Sequence, residues 1–307
     1  MPLGEILTKS FNYAKNNRAF WFYGFLLALF SGGGYNSSSY SPDQNSFKAL
    51  ENIPASTWIV IGIVVAIVIL VLIVISAIVS SWSLAAIMNG TNLLEKGKEV
   101  NRKIMGKTGK RSVWKLIVLN VLIPMAVALA LILLIILGVV LFAAMPEPAG
   151  AIIGIVLLVL LILALIPVIV YFGIVWGLAS RFVFLEQKNV IESIKLGMSL
   201  IKGKFWWTFL FTFVVGMIGG FAAFILVIPL ILVVLGLVFV VATKIIILAV
   251  ILGFLTLVLG IAFLFASGLI QAFAQIGWTL WWMELKKLKT ENPVVSKVEP
   301  SKVKATA

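Results

Sequence analysis

The chain of 307 residues contains no histidine and no cysteine. Without histidine there is no zinc site of the H-E-x-x-H type, no serine–histidine pair and no haem ligation by imidazole. Without cysteine there is no thiolate nucleophile, metal thiolate or disulfide. Acidic residues are also few, with 11 Asp and Glu against 24 Lys and Arg. We therefore expect no cofactor, no metal site and no catalytic residue.

The acidic residues that are present lie among basic ones. Glu95 and Glu99 share a helical face, but Lys98 and Lys103 flank them, and Glu186 lies in another basic segment. Ion pairing on a solvated surface is the commoner role of carboxylates in such a pattern. We therefore predict that the protein is not an enzyme. An enzyme that acts on lipid headgroups through Glu95, Glu99 or Glu186 is the second alternative.

Apolar runs make up most of the chain, which is 62% hydrophobic. A soluble domain of this length cannot bury so much apolar surface in one core. A helix needs about 20 apolar residues to cross a hydrocarbon core of roughly 30 Å, and several runs here are longer. We predict an all-α fold, a polytopic transmembrane bundle over residues 1–289, followed by a disordered tail at 290–307. The predicted spans are residues 19–34, 57–82, 116–144, 151–178, 206–230 and 254–283.

Nearly all of the basic residues lie in four segments, at residues 1–20, 89–115, 181–204 and 286–304. Short loops rich in Lys and Arg stay in the cytoplasm, so the apolar runs between these segments are predicted to cross in pairs. The result is six spans in the cell membrane, with both termini cytoplasmic. This placement accounts for the net charge of +13, and we predict no nucleic-acid partner.

Two regions leave alternatives open. Residues 19–30 follow basic residues, as the apolar region of a signal peptide does, but no A-x-A-like cleavage site follows and we predict a short first span. The run at residues 205–283 is too long for two ordinary spans. We predict a bend or a re-entrant segment at residues 229–250, between Pro229 and Lys244. Four short spans in this run would instead make eight in all.

An internal repeat of low identity is marked by Trp21, Trp114 and Trp206, which lie 93 and 92 residues apart. Each tryptophan follows a basic stretch in which apolar and charged residues fall on opposite helical faces, and each precedes an apolar run. Helices of this kind lie in the membrane interface. The sequence therefore predicts three hairpins of spans, each preceded by a basic amphipathic in-plane helix.

Residues 193–207 read S-I-K-L-G-M-S-L-I-K-G-K-F-W-W, a basic amphipathic stretch that leads into an apolar run. This segment resembles the membrane domain found beside glycerophosphodiester phosphodiesterases, and related uncharacterised six-span prokaryotic families. Residues 181–186 and 3–11 fit the same pattern. The resemblance implies a helical membrane fold and a membrane location. No residue of the motif is catalytic and the hydrolase domain is missing, so the resemblance implies no enzyme activity.

Three sets of residues are candidates for function. The candidate lipid contacts at the inner interface are Lys9, Lys15, Lys103, Lys107, Arg111, Lys195, Lys202 and Lys204. The glycines with G-x-x-x-G spacing, which serve packing within one bundle or in a homodimer, are Gly173, Gly177, Gly216 and Gly220. The candidates for a polar pathway are Asn120, Lys244, Gln271 and Gln275. Hydrogen bonds between helices are the commoner role for the amides, as snorkelling is for the lysine.

The basic in-plane helices carry the predicted function. We expect a non-enzymatic integral membrane protein that organises lipids or a membrane partner through these helices. Anionic membrane lipids are the expected partners, because basic residues near the inner leaflet attract them. A membrane protein is a further expected partner, and the oligomeric state stays open. The first alternative is a transporter or channel for a lipid-like or small uncharged solute.

Overall fold

The computed structural model describes residues 3–30, 55–109, 113–144, 149–242 and 245–291. These residues form helices joined by short turns and contain no strand, so the predicted all-helical fold class is confirmed. The described helices are α1 (Leu3–Asn16), α2 (Arg18–Phe30), α3 (Ala55–Glu95), α4 (Arg102–Gly109), α5 (Val113–Ala144), α6 (Ala149–Leu185), α7 (Val190–Ile201), α8 (Phe205–Ala242) and α9 (Ile246–Glu291).

Five of the described helices are long and apolar enough to cross a membrane, and they define a multi-pass membrane protein. Their apolar parts are Val60–Glu95, Val113–Leu133, Leu163–Leu185, Phe205–Val240 and Ile246–Glu291. The sixth apolar helix, α2, has 13 residues. At 1.5 Å per residue it is about 20 Å long, shorter than the roughly 30 Å hydrocarbon core.

Residues 229–250, where a bend or a re-entrant segment is predicted, are helical up to Ala242 and again from Ile246. Helix α8 continues through Pro229 to Ala242, and α9 begins at Ile246. A proline removes one helical hydrogen bond, whereas leaving the helix in an apolar stretch would expose several backbone groups to lipid. The excess length of the run is therefore absorbed by two long helices. Lys244, which lies between them, is outside the described residues.

The short helices α1, α4 and α7 lie at one end of the bundle, together with the last turns of α3, α6 and α9. We call this the basic end. The central helix is α9, which packs against α1, α2 and α8 and also contacts α3 and α6. Most buried residues of the long helices are near this end, at Ser81–Thr91, Leu116–Ile123, Ile174–Phe184, Thr208–Val215 and Gly268–Leu285, whereas Val240 is buried at the far end of α8. The apolar halves farther away are largely exposed, and every residue of α3 from Val60 to Ile75 is exposed.

Helices α2 and α9 approach each other closely enough for their backbones to be in contact. A Cβ atom added to Gly24 would lie 2.1 Å from the backbone oxygen of Gly268, and one added to Gly268 would lie 2.6 Å from the backbone nitrogen of Phe25. Only glycine permits this contact, because real Cβ atoms do not approach backbone atoms so closely. Glycine pairs of this kind let membrane helices gain backbone packing. Gly24 and Gly268 have no glycine partner at G-x-x-x-G spacing, so their contact was not predicted.

The glycines that were selected for their spacing behave differently from one another. A Cβ atom on Gly177 would lie 3.2 Å from the Trp278 ring, so this residue is a packing position. A Cβ atom on Gly173, Gly216 or Gly220 would meet no described atom within 4 Å. These three glycines are exposed on the faces of α6 and α8 that no described helix covers. Among the described residues, no helix therefore packs closely against these three glycines, and the packing role predicted for them stays a prediction.

Candidate functional site

Helix α1 is held against the basic end by one buried face and one charged contact. Ile6, Ser10 and Ala14 are buried, and Ser10 packs on α9. On the other side of the helix, the Lys9 Nζ atom lies 2.8 Å from a Glu95 carboxylate oxygen at the end of α3. The Tyr13 hydroxyl donates a hydrogen bond to the same carboxylate, at 2.8 Å. Lys9 is therefore a structural ion-pair partner as well as a basic surface residue.

Helix α4 is fixed through its backbone. The Tyr23 hydroxyl donates to the backbone oxygen of Arg102 at 2.8 Å, and the Trp82 Nε1 atom donates to that of Gly106 at 3.0 Å. A side chain at Gly106 would collide with Tyr23, because an added Cβ would lie 2.4 Å from its hydroxyl. Met105 is fully buried beside these groups. The short basic helix thus presents a fixed face to the protein and its charges to the surroundings.

Helix α7 packs on α6 through Ser193, Gly197, Leu200 and Ile201, all of which are buried. Gly197 sits above the backbone of Val175, where an added Cβ would lie 3.2 Å from a carbonyl oxygen. The charged residues are on the other face. The three short helices are therefore built alike, each with one buried face and one exposed face that carries lysine. The middle amphipathic helix, however, was predicted over residues 93–104, where the structure has the end of α3 and a turn, and Ile104 of its predicted apolar face is exposed.

Most of the basic residues predicted as lipid contacts are accessible. Those exposed on α1, α4, α7 and the turn after α7 are Lys15, Lys103, Lys107, Lys195 and Lys202. Lys204 is half-buried and its Nζ atom has no hydrogen-bond partner among the described residues. Burial lowers the pKa of Lys204, an effect that nearby Lys289 reinforces and Glu284 opposes. Arg111 lies outside the described residues.

An apolar crevice of about 630 Å³ runs between α1, α2, α8 and α9. We call it the α1–α9 crevice. Lys15 is the charged residue of its lining, and it is exposed at the end of α1. The other lining residues include Phe11, Trp21, Ile218, Ala222 and Phe273. The crevice has the size of a ligand pocket, for which roughly 300–1,000 Å³ is typical. Its composition suits a hydrocarbon chain with a negative group at one end.

A second site is centred on Arg181, which is only 2% exposed. Its Nη1 atom donates to the Gly177 backbone oxygen at 2.7 Å and to Ser180 Oγ at 2.8 Å. Its Nη2 atom donates to the backbone oxygen of Gln275 at 3.2 Å and to the side-chain Oε1 atom at 2.6 Å. All four acceptors are uncharged. The Nε atom has no hydrogen-bond partner among the described residues.

Arg181 lines a cavity of about 70 Å³ between α3, α6 and α9. The residues around it are Leu84, Gly173, Trp176, Gly177, Ser180, Gln275 and Trp278. Gly173 and Trp176 are exposed on α6, so the cavity opens at the side of the bundle. None of the three ion pairs found among the described residues includes Arg181. We call this the Arg181 cavity.

The structure brings some of the predicted polar candidates together. The Asn120 side chain donates to Ser81 Oγ and accepts from Trp176 Nε1, both at 3.0 Å, and so joins α3, α5 and α6. Gln275 accepts from Arg181 in the adjacent cavity. Gln271 is half-buried one turn away from Gln275 on α9. Asn120 and Gln275 therefore make the interhelical hydrogen bonds expected of amides in membrane helices.

The acidic residues considered for catalysis are in separate places. Glu95 is engaged by Lys9 and Tyr13, and Glu186 forms an ion pair with Lys286 of α9. Glu99 is exposed. Within the described ranges no group of three or more acidic residues is placed to hold a metal ion. Two of the three carboxylates thus tie helices together at the basic end.

Arg181 is the residue that the sequence analysis missed. Its position at the start of the basic segment 181–204 made it one of the charges assigned to a cytoplasmic loop. The structure instead has α6 continuing to Leu185, with Phe182, Val183 and Phe184 buried. The sequence signal was the return of apolar residues directly after the arginine, because a run that resumes in this way keeps the charge inside the helix.

The fold and these sites define a multi-pass helical membrane protein with a packed basic end. The family described as "Domain of unknown function (DUF8558)" matches residues 33–273, which is most of the chain, and the protein belongs to this family. No curated protein and no solved structure matches the chain. The likeness to the membrane domain found beside glycerophosphodiester phosphodiesterases stays a prediction.

Proposed function

We propose that the protein is a non-enzymatic membrane protein that binds and organises anionic phospholipids at the inner face of a cell membrane. The observation that carries this proposal is the α1–α9 crevice with Lys15 at its end. An acyl chain in the crevice stays in an apolar environment, so its contribution is close packing against the apolar wall and not transfer out of water. The headgroup phosphate would then lie near the Lys15 ammonium, where a basic residue at the membrane surface contributes about 1 kcal/mol.

The docked basic helices α1, α4 and α7 support the same proposal. Each turns an apolar face to the bundle and exposes lysines on the opposite side, so that several cations are held at one level. A fixed array of cations concentrates anionic lipid more effectively than lysines on flexible loops do. The backbone that carries the array is already ordered, so less conformational entropy is lost when lipid binds. The array would therefore gather the lipids among which the crevice selects one.

We propose six spans in three hairpins, with α2 as the short first span and with α1, α4 and α7 in the plane of the inner interface. Both termini are then cytoplasmic, as the placement of lysine and arginine favours. A single cysteine at Lys103 tests the orientation in this cysteine-free chain. We expect a membrane-impermeant maleimide to label it only after the cells are opened. Labelling of intact cells would reject the orientation.

The lipid proposal is tested by extracting the full chain in mild detergent and measuring its bound phospholipids by mass spectrometry. We expect anionic phospholipid to be enriched over the bulk membrane, and Lys15→Gln to reduce this enrichment about fivefold, the equivalent of about 1 kcal/mol. Ala222→Trp, which fills the crevice from α8, should have a similar effect. Lys195→Gln is the comparison variant, since it removes one lysine of the array on α7 away from the crevice and should therefore reduce the enrichment less than Lys15→Gln does.

Two results would reject the proposal. One is a wild-type protein that carries phospholipids in the proportions of the bulk membrane. The other is an equal enrichment of anionic phospholipid in Lys15→Gln, Ala222→Trp and Lys195→Gln. The crevice would then have no part in the enrichment.

A further inference from the structure

Arg181 is the buried charged residue of the described chain, and it has no buried acidic partner there. A charge inside a membrane bundle is unfavourable by several kcal/mol unless it is paired or hydrogen-bonded. The four hydrogen bonds to Gly177, Ser180 and Gln275 satisfy most of the N–H groups, but they leave the positive charge in place. The site therefore has a net charge of one sign and a cavity next to it.

Two N–H groups near the cavity remain able to donate a hydrogen bond after these four bonds are made. The Arg181 Nε atom is buried and has no partner among the described residues. The Oε1 atom of Gln275 is engaged by Arg181, so the NH₂ group of that amide is the part left to donate to a ligand. A small anionic acceptor in the cavity would lie beside Arg181 and Gln275, which both line it.

The size and the surroundings of the cavity restrict the ligand. Its volume of about 70 Å³ holds a group of a few heavy atoms and is well below the roughly 300–1,000 Å³ of pockets that enclose a whole ligand. Its opening at Gly173 and Trp176 faces the exposed apolar surface of α6, where the spans are predicted to meet lipid. The remainder of the ligand therefore stays outside, in an apolar environment.

We propose that the Arg181 cavity binds the carboxylate of a long-chain fatty acid, whose hydrocarbon chain leaves past Gly173 along the outer surface of α6. The carboxylate supplies the missing negative charge with three heavy atoms. A phospholipid is less suited, because its phosphate carries two bulky substituents. This site is separate from the α1–α9 crevice, which lies on the other side of α9 against α1, α2 and α8.

The experiment uses the full chain in phosphatidylcholine nanodiscs and a fatty acid with a diazirine close to its carboxylate. After illumination, the labelled peptides are identified by mass spectrometry. We expect labelling within residues 173–181 and 275–278 that saturates with the probe. Unlabelled oleate should displace the probe, whereas oleyl alcohol, which has the same chain without the charge, should not.

Two variants test the two parts of the site. Arg181→Gln removes the charge and should weaken displacement by oleate about ten- to a hundredfold, the range for a hydrogen bond to a charged group. Gly173→Phe blocks the opening without touching Arg181, and the space around Gly173 admits a side chain. Gly216→Phe is its control, because Gly216 is equally uncovered on α8 and is not part of the cavity.

Four results would overturn the proposal. They are labelling that does not saturate, displacement by oleyl alcohol as strong as by oleate, wild-type labelling in Arg181→Gln, and wild-type labelling in Gly173→Phe. If Arg181→Gln fails to fold, the labelling of Gly173→Phe alone decides whether the cavity binds the fatty acid. A copurifying protein whose acidic residue crosslinks to Arg181, with no displacement by oleate, would also overturn it and assign the site to a protein carboxylate.

Discussion

The half of the bundle at the basic end and the half farther away use the same helices but different residues. Near the basic end, α3 buries the small or hydroxyl-bearing residues Ser81, Ser83, Ala85 and Thr91 together with Leu84, Ile87 and Met88. The same helix from Val60 to Ile75 is rich in Ile, Val and Leu, and all of it is exposed. Lipid is as apolar as these large side chains, so packing them against each other gains little. Small and hydrogen-bonding residues instead bring membrane helices together.

This contrast reverses the rule for soluble proteins, in which the most hydrophobic stretch is the core. Here the most apolar stretches face outward, and the packed half includes Arg181, Asn120 and Gln275. The candidate sites follow the same division. The Arg181 cavity and the α1–α9 crevice are both found where the helices begin to separate, between the packed and the exposed half.

The largest expected effect comes from a side chain at the backbone contact between α2 and α9. We expect Gly24→Leu to prevent α2 from packing on α9, because its Cβ would fall 2.1 Å from the Gly268 backbone oxygen. A clash with backbone cannot be relieved by moving a side chain. We therefore expect the free energy of unfolding to fall by more than about 4–5 kcal/mol, a loss that few single substitutions reach. The measurement is the yield of monodisperse protein in size-exclusion chromatography.

The control for this substitution is Gly220→Leu in the exposed part of α8, where an added Cβ meets no described atom. We expect its yield to equal that of the wild type. Equal yields of the two variants would mean that the α2–α9 contact does not hold the packed half together.

The next effect concerns two tryptophans. Trp281 is fully buried, and its ring stacks on that of Phe211 with 4.7 Å between ring centroids. We expect Trp281→Ala to lower the free energy of unfolding by about 3–5 kcal/mol, as for other large aromatic deletions. Trp206, 75% exposed at the start of α8, is the control, and Trp206→Ala should change stability far less. Unfolding of the helical signal in SDS titrations measures both, and similar losses would contradict the division into halves.

The smallest effect concerns the ion pair that holds α1. Glu95→Gln weakens the contacts to Lys9 and Tyr13, and because the pair is partly exposed we expect a loss of no more than about 1 kcal/mol. Partial burial of the Lys9 side chain lowers its pKa, but the hydrogen bond and the negative charge of Glu95 have the larger combined effect. The pKa of Lys9 is therefore raised above its ordinary value of 10.5. The contribution is therefore complete below pH 10.5 and disappears as the pH rises through the raised pKa.

Thermal unfolding of wild type and Glu95→Gln between pH 7 and about 11.5 checks this sign. The difference between the two proteins should be constant at neutral pH and should shrink above the ordinary lysine pKa. The comparison variant is Glu192→Gln, which breaks the more exposed ion pair between Lys188 and Glu192, four residues apart on the chain. A difference between wild type and Glu95→Gln that grows with rising pH would contradict the assignment.

Several features could be predicted from local sequence. The length of the apolar runs predicted the helical membrane class, and the alternation of charged and apolar residues predicted α1 and α7, whereas α4 starts at the end of the segment where the middle amphipathic helix was predicted. Lys15 was selected from this pattern, but the crevice beside it was not, because its wall consists of ordinary apolar residues from α2, α8 and α9. No spacing within one helix indicates which other helices will lie beside it.

The sequence by itself determined that this chain is helical, is too apolar to be a soluble protein and concentrates its cations in a few short segments. These properties depend on composition and on spacing along one helix. Tertiary structure alone decided that Gly24 and Gly268 meet, that three of the four regularly spaced glycines pack against no described helix, and that Arg181 is buried beside Gln275. The physical reason is that lipid surrounds every apolar side chain equally well, so the choice of neighbours depends on backbone contacts and hydrogen bonds between distant segments.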